Sequence, residues 1–183
     1  MFKKLLIESS IILKTAGIPY IVVGGQAVLL YGEPRFTRDI DITLGIDIDQ
    51  RSRVIDAFSM TGFTPRPKDF VKFIIETSVL PLEHRESGIR LDLIFSFSPF
   101  ERNAIERAHH VEIDGNPIAF ASVEDLIILK IFAGRPRDIE DVKMIVIKNP
   151  ELDVKYIIEW LKSFEAVLHQ PLVQIWNEII ADY

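Results

Sequence analysis

The chain has 183 residues, 48% hydrophobic and 26% charged, a composition typical of a globular protein with a sizeable core. A net charge of −6 argues against nonspecific nucleic-acid binding by the whole surface, and the absence of cysteine excludes disulfides and thiolate metal sites. No apolar run is long enough to span a membrane, and Glu8 interrupts the signal-like stretch 1–13. The absence of cysteine fits a cytoplasmic protein, which is the location that we expect.

Hydrophobic periodicity and turn residues predict mixed helices and strands up to about residue 120. The predicted helices cover residues 2–14, 26–31, 49–60 and 99–107. The predicted strands cover residues 20–23, 39–44, 79–83 and 89–97, with a hairpin over 111–113 and 118–120. Residues 68–77 fit a helix or a strand equally well.

The rest of the chain has only helical patterns, over residues 122–133, 138–147, 153–168 and 171–181. Ser122 with Asp125 resembles a capping box at the start of the first of these helices. We therefore predict an α/β (α+β) fold: a core over 1–120 with a small mixed sheet flanked by helices, and a helical region over 121–183 packed on that core.

The most informative stretch covers residues 20–43. An apolar strand ends in Gly24-Gly25, which opens a short helix, and the next strand alternates Asp39 and Asp41 with isoleucines. A period of two puts both carboxylates on one face of that strand. A glycine turn at a helix N-terminus exposes backbone N–H groups to phosphate, so this stretch predicts a combined metal and phosphate site.

A second alternating strand carries one carboxylate, Asp92. Mg²⁺ and Mn²⁺ prefer hard oxygen ligands, and clustered carboxylates repel one another unless a cation lies between them. We therefore predict that Asp39, Asp41 and Asp92 form a metal site for phosphoryl chemistry. Alternatives remain: a solvated strand face for the first two residues, and for Asp92 either an exposed position on its strand or a salt bridge with Arg90.

Two segments resemble a known family. Gly24-Gly25 followed by Arg35-x-Thr37-x-Asp39-x-Asp41 is similar to the signature of the DNA polymerase β-type nucleotidyltransferase superfamily. The segments 122–130 and 133–141 resemble the same group. The resemblance covers roughly residues 18–145 and looks most like the minimal prokaryotic members, including nucleotidyltransferase toxins of the abortive-infection type. One departure is the Gly-Gly turn, since many members have Gly-Ser.

The resemblance implies a nucleotidyltransferase fold and an enzyme that transfers NMP from an NTP, such as ATP, to an acceptor hydroxyl. Asp39 and Asp41 would bind the metals, and Asp92 would complete the triad and help deprotonate the acceptor. Asp138 or Asp141 would orient Lys130 or the nearby arginines. The implied nucleotide-binding residues are Gly24, Gly25, Arg35, Thr37 and Lys130.

Two functions of different classes stay open at this point. The first is a metal-dependent nucleotidyltransferase whose acceptor is a tRNA end, a protein or a small molecule, and whose partner is a cognate antitoxin if the protein is a toxin. The second is a non-catalytic module of the same fold that binds a nucleotide or a protein. For Lys130, the alternative to phosphate binding is a solvent-facing lysine near a helix C-terminus.

Overall fold

The computed structural model describes residues 1–34, 36–96 and 98–181. Within them the chain forms an α/β fold with one seven-stranded mixed sheet, so the predicted fold class is confirmed. The strands are β1 (Tyr20–Val23), β2 (Asp39–Leu44), β3 (Phe63–Pro65), β4 (Val79–His84), β5 (Arg90–Phe95), β6 (His109–Ile113) and β7 (Asn116–Phe120). The helices are α1 (Phe2–Thr15), α2 (Gly24–Tyr31), α3 (Arg51–Ser59), α4 (Phe70–Thr77), α5 (Pro99–Glu106), α6 (Val123–Ala133), α7 (Pro136–Lys148), α8 (Val154–Leu168) and α9 (Leu172–Ile180).

The strand order across the sheet is β3-β4-β5-β2-β1-β7-β6. The central strands β2 and β5 run parallel, as do β1 and β7, while the remaining neighbours are antiparallel. Parallel neighbours require a long crossover connection, and 45 residues separate the end of β2 from the start of β5. The two strands that alternate most strongly in sequence therefore lie side by side at the middle of the sheet.

Alternation explains why β2 and β5 hold their register. On one face their side chains, together with Leu80 and Leu82 of β4, are almost completely buried, and each contributes about 1.5–3 kcal/mol of apolar burial. A shift by one residue would move this whole set to the other face. The other face carries Asp39, Asp41 and Asp92, and we call it the carboxylate face.

The structure corrects one local prediction, decides one that was left open and adds one strand. Helix α2 begins at Gly24 itself rather than at residue 26. The stretch 68–77, which fitted a helix or a strand equally well, contains helix α4 over Phe70–Thr77, and its C-cap Ser78 is left-handed with a φ of 57°. The three-residue strand β3 was not predicted, because it is too short to show a period; its Phe63 ring packs edge-on against His84 of β4.

The described residues divide into two compact units. The first, drawn from residues 1–26 and 36–120, contains the whole sheet. The second, drawn from 27–34 and 121–181, contains helices α6 to α9 around the buried Trp176, with Tyr156 Oη donating a 2.6 Å hydrogen bond to Asp125. The predicted domain boundary at residue 120 stays a prediction. None of the described helices is both long and apolar enough to cross a membrane.

Candidate active site

The pairing of β2 with β5 brings the predicted carboxylates together on one face. Asp41 is the register partner of Asp92, and Asp39 is the partner of Arg90, two residues earlier. Register partners on adjacent strands point to the same side of a sheet. The candidate ligands therefore share the carboxylate face, where each of the three is partly exposed.

The glycine turn lies directly against Asp41. Strand β1 pairs antiparallel with β2, which places Val23 beside Asp41 and Gly24 immediately beyond. Gly24 has a φ of +61°, and a Cβ atom built on it would lie 1.9 Å from Asp41 Oδ2. Only glycine permits this approach. The first N–H groups of a helix have no intrahelical acceptor, so the start of α2 offers donors beside a carboxylate.

Two polar side chains position Asp39. Thr37 is buried, and its Oγ1 lies 3.1 Å from Asp39 Oδ1, to which it donates. Gln26 Nε2 donates to the backbone oxygen of Asp39 over 3.4 Å. These bonds orient a strand end that carries a candidate ligand. The predicted contact of Thr37 with a nucleotide stays a prediction.

Asp92 has a perturbed acidity. Burial raises the pKa of its carboxyl group, and the negative charge of Asp39 raises it further, while Arg66 and Arg90 partly offset both effects. A raised pKa makes a carboxylate a better proton acceptor. No ion pair joins Asp92 to Arg90, although both residues are described, so the salt-bridge alternative is not what the structure shows.

The donor chemistry suits a hard divalent cation, because three carboxylates share one face and the charge of Asp39 already raises the pKa of Asp92. In the described part of the chain, however, no three carboxylate or imidazole side chains are gathered closely enough to enclose an ion. Two cavities, of about 550 and 210 Å³, are lined by other residues.

Lys130 lies in the second unit and is 5% exposed, so the solvent-facing alternative is wrong. Its Nζ lies 2.6 Å from Asp138 Oδ1 and 2.8 Å from Asp141 Oδ2. Arg135 also donates to Asp138, over 2.6 Å. Burial alone would raise the pKa of Asp138, but the hydrogen bonds from Arg135 and Lys130 outweigh it and lower that pKa. The predicted phosphate contact of Lys130 stays a prediction.

Some candidate residues fall outside this geometry. Arg35, predicted to bind the nucleotide, lies outside the described residues. Gly25 is a buried residue in the first turn of α2. Sequence reasoning missed Arg66 and Glu83, which the sheet places near Asp92; they form an ion pair of 3.4 Å. No local pattern could have revealed them, because their position depends on the pairing of β3 with β4.

The structure places the glycine turn at Gly24 beside carboxylates on two adjacent strands. The chain belongs to the family described as nucleotidyltransferase of unknown function (DUF6036), which it matches over residues 3–180. The predicted superfamily is thus confirmed at this level, while the abortive-infection toxin type stays a prediction. No curated protein matches the chain with significant sequence similarity.

Solved structures share the fold. The chain is 18% identical to the antibiotic-resistance factor ANT(2'')-Ia in its complex with adenylyl-2''-tobramycin, covering 90% of this chain and 97% of that one with a TM-score of 0.58. A nucleotidyltransferase-like protein from Paracoccidioides brasiliensis is 17% identical, with 93% and 91% covered and a TM-score of 0.58. At these identities the likeness shows the fold alone.

Proposed function

We propose that this protein is a metal-dependent nucleotidyltransferase that transfers NMP from an NTP to an acceptor hydroxyl. The observation that carries the proposal is the close approach of Gly24 to Asp41, which places the N-terminus of α2, a structure that favours phosphate, beside a row of carboxylates. Membership of a nucleotidyltransferase family supports the same reaction class.

Asp39, Asp41 and Asp92 would hold Mg²⁺ or Mn²⁺. A cation bound there would stabilise negative charge on the reacting phosphate and on the departing pyrophosphate. The backbone N–H groups at the start of α2 would bind the triphosphate, because a helix N-terminus favours an anion. Thr37 and Gln26 would keep the end of β2 in place through their bonds to Asp39.

The transfer itself balances as a substitution at phosphorus. The acceptor hydroxyl oxygen forms a bond to the α-phosphorus, and the bond from that phosphorus to the bridging oxygen breaks, so pyrophosphate leaves with the electron pair. We assign Asp92 to receive the hydroxyl proton, since it lies on β5, on the side of β2 that faces away from the start of α2 and its phosphate donors. ATP is one candidate donor, and the acceptor is a tRNA end, a protein or a small molecule.

The proposal is tested with α-labelled NTPs, Mg²⁺ or Mn²⁺, and cell extract as the source of acceptor. We expect the double variant Asp39→Asn/Asp41→Asn to lose label transfer by about 100-fold or more, because several kcal/mol of charge stabilisation disappears. Asp49→Asn, at an exposed position before α3, is the matched control and should transfer at the parental rate. Equal transfer by the double variant and the parent would refute the proposal.

One observation favours a second candidate: within the described residues no three ligands are gathered around an ion position. A non-catalytic module that binds a nucleotide or a protein would fit that arrangement. It predicts nucleotide binding in calorimetry without label transfer to any acceptor.

The most specific part of the proposal is a toxin role, with a cognate antitoxin as the partner. It predicts growth arrest on expression of the parent chain but not of the Asp39→Asn/Asp41→Asn variant. Growth arrest by both chains would exclude nucleotidyl transfer as its cause.

A further inference from the structure

Two arginines lie on the carboxylate face beyond Asp92. Arg90 precedes Asp92 by two residues in β5 and is the register partner of Glu83 in β4. Arg66 follows β3, and its N–H donates to the backbone oxygen of Pro81, the register partner of Asp92. Since Arg66 also pairs with Glu83, all of these side chains lie on one face.

The guanidinium groups of this arginine pair, Arg66 and Arg90, remain accessible. The side chain of Arg66 is 40% exposed, and its carboxylate partner Glu83 is 43% exposed at 3.4 Å, which is a weak surface contact. Arg90 is exposed, and among the described residues no carboxylate forms an ion pair with it. Both groups can therefore bind an external anion.

The strand order separates this arginine pair from the triphosphate donors. The start of α2 follows β1 and lies on one side of β2, whereas β5, β4 and β3 lie on the other side. The candidate metal ligands on β2 and β5 thus stand between two regions that favour anions. If the triphosphate occupies the α2 side, the arginine pair faces the direction from which the acceptor approaches.

We propose that Arg66 and Arg90 bind the acceptor, and that the acceptor carries a phosphate close to its reacting hydroxyl. The planar guanidinium fork matches phosphate oxygens in a bidentate manner, which gives both affinity and orientation. The arginine pair would repel an ammonium group of an acceptor such as tobramycin, although Glu83 and the three aspartates lie on the same face. This inference rests on the proposed nucleotidyl transfer and names the substrate class of the same site.

Binding to the full chain tests the inference without a known acceptor. The probes are ribose 5-phosphate, a short fluorescent oligoribonucleotide with a free 3′-hydroxyl, and tobramycin, each measured with and without Mg²⁺ and a non-hydrolysable NTP analogue. We expect the parent to bind at least one phosphate probe and Arg66→Gln/Arg90→Gln to bind it at least about tenfold more weakly, the scale of one lost charge-assisted contact. Arg66→Lys/Arg90→Lys should be intermediate, because it keeps the charge and loses the fork.

Arg85→Gln is the control for the loss of an arginine charge elsewhere, because Arg85 is exposed and lines the cavity against Leu80 and Leu82 on the opposite face. It should bind the phosphate probes with parental affinity. Urea denaturation of each variant shows that the fold is intact. Preference for the oligoribonucleotide over ribose 5-phosphate would identify a nucleic-acid end, and equal binding a small phosphorylated acceptor.

The outcomes separate this inference from the proposed function. Failure of the parent to bind the NTP analogue would refute the proposed function. Binding of the phosphate probes in the absence of nucleotide would still test whether the arginine pair binds phosphate. Nucleotide binding with no phosphate-probe binding, or equal probe binding by parent and Arg66→Gln/Arg90→Gln, would overturn the inference. So would label transfer to tobramycin with none to the phosphate probes.

Discussion

Replacing Gly24 with alanine should disturb both the fold and the candidate site. The residue has a φ of +61°, and an added Cβ atom would lie 1.9 Å from Asp41 Oδ2 and 2.9 Å from Asp41 Cβ. Rotation of the Asp41 side chain would move the carboxylate but leave the Cβ contact, so the backbone must also shift. Gly24→Ala therefore displaces a candidate metal ligand from the start of α2.

The magnitude has two parts. A left-handed conformation costs a residue with a side chain about 1–2 kcal/mol, and forced overlap in a packed region adds about 1–3 kcal/mol. Gly88→Ala isolates the first part, because Gly88 has a φ of +66° and no atom within 4 Å of its added Cβ. We expect a total loss of about 2–5 kcal/mol for Gly24→Ala and only the conformational part for Gly88→Ala.

Urea denaturation followed by circular dichroism measures both variants, and calorimetry with an NTP analogue measures nucleotide binding. Adding Asp41→Ala to Gly24→Ala should recover part of the stability, because it removes the carboxylate at 1.9 Å, so the two substitutions should not be additive. Equal losses for Gly24→Ala and Gly88→Ala, together with parental nucleotide binding by Gly24→Ala, would refute the reasoning.

Four further predictions concern single substitutions. Lys130→Met leaves the buried Asp138 without its ammonium partner and should cost about 3–5 kcal/mol in urea denaturation, whereas Arg135→Gln, at a side chain 76% exposed, should cost at most about 1 kcal/mol. Because the pKa of Asp138 is lowered, its ionised form stabilises the fold above the ordinary aspartate pKa, and this stabilisation is lost as the pH falls through the lowered pKa. The melting temperature of Asp138→Asn should therefore fall less steeply with acid than that of the parent. Ser122→Ala removes the side chain that accepts the backbone N–H three residues on, and should cost about 1 kcal/mol in urea. Because the pKa of Asp92 is raised, its ionised form opposes folding. In the absence of divalent cations, Asp92→Asn should therefore melt at a higher temperature than the parent at neutral pH. Below the ordinary aspartate pKa the two proteins should melt at the same temperature.

Local rules explain why much of the fold was predictable. Strand β2 was predicted with its observed bounds, because alternation of polar and apolar side chains over six residues fits only a period of two. Helix α6 begins after Ser122 as predicted, because the serine hydroxyl accepts one of the backbone N–H groups that lack a partner at a helix start. Strand β3 was missed, because three residues are too few for a pattern to emerge.

The candidate site was predictable only in part. The glycine turn and the alternating aspartates identified Gly24, Asp39 and Asp41, since both features are local and chemically distinctive. Lys130 was ambiguous, because its sequence neighbours fit a surface lysine, and only the packing of α6 against α7 shows that two carboxylates surround its ammonium. A buried charge is paired by distant residues, and sequence spacing alone does not specify that pairing.

The sequence by itself determined which residues share a face of each strand, because successive side chains point to opposite sides whatever the strand pairs with. It also determined that the turn after β1 has a glycine, Gly24, at a position whose left-handed backbone strongly favours glycine. The tertiary structure decided that β5 pairs with β2 so that Asp92 faces Asp41, and that β3 carries Arg66 to the same face. Such pairings depend on non-local hydrogen bonds and burial, which a strand's own periodicity does not encode.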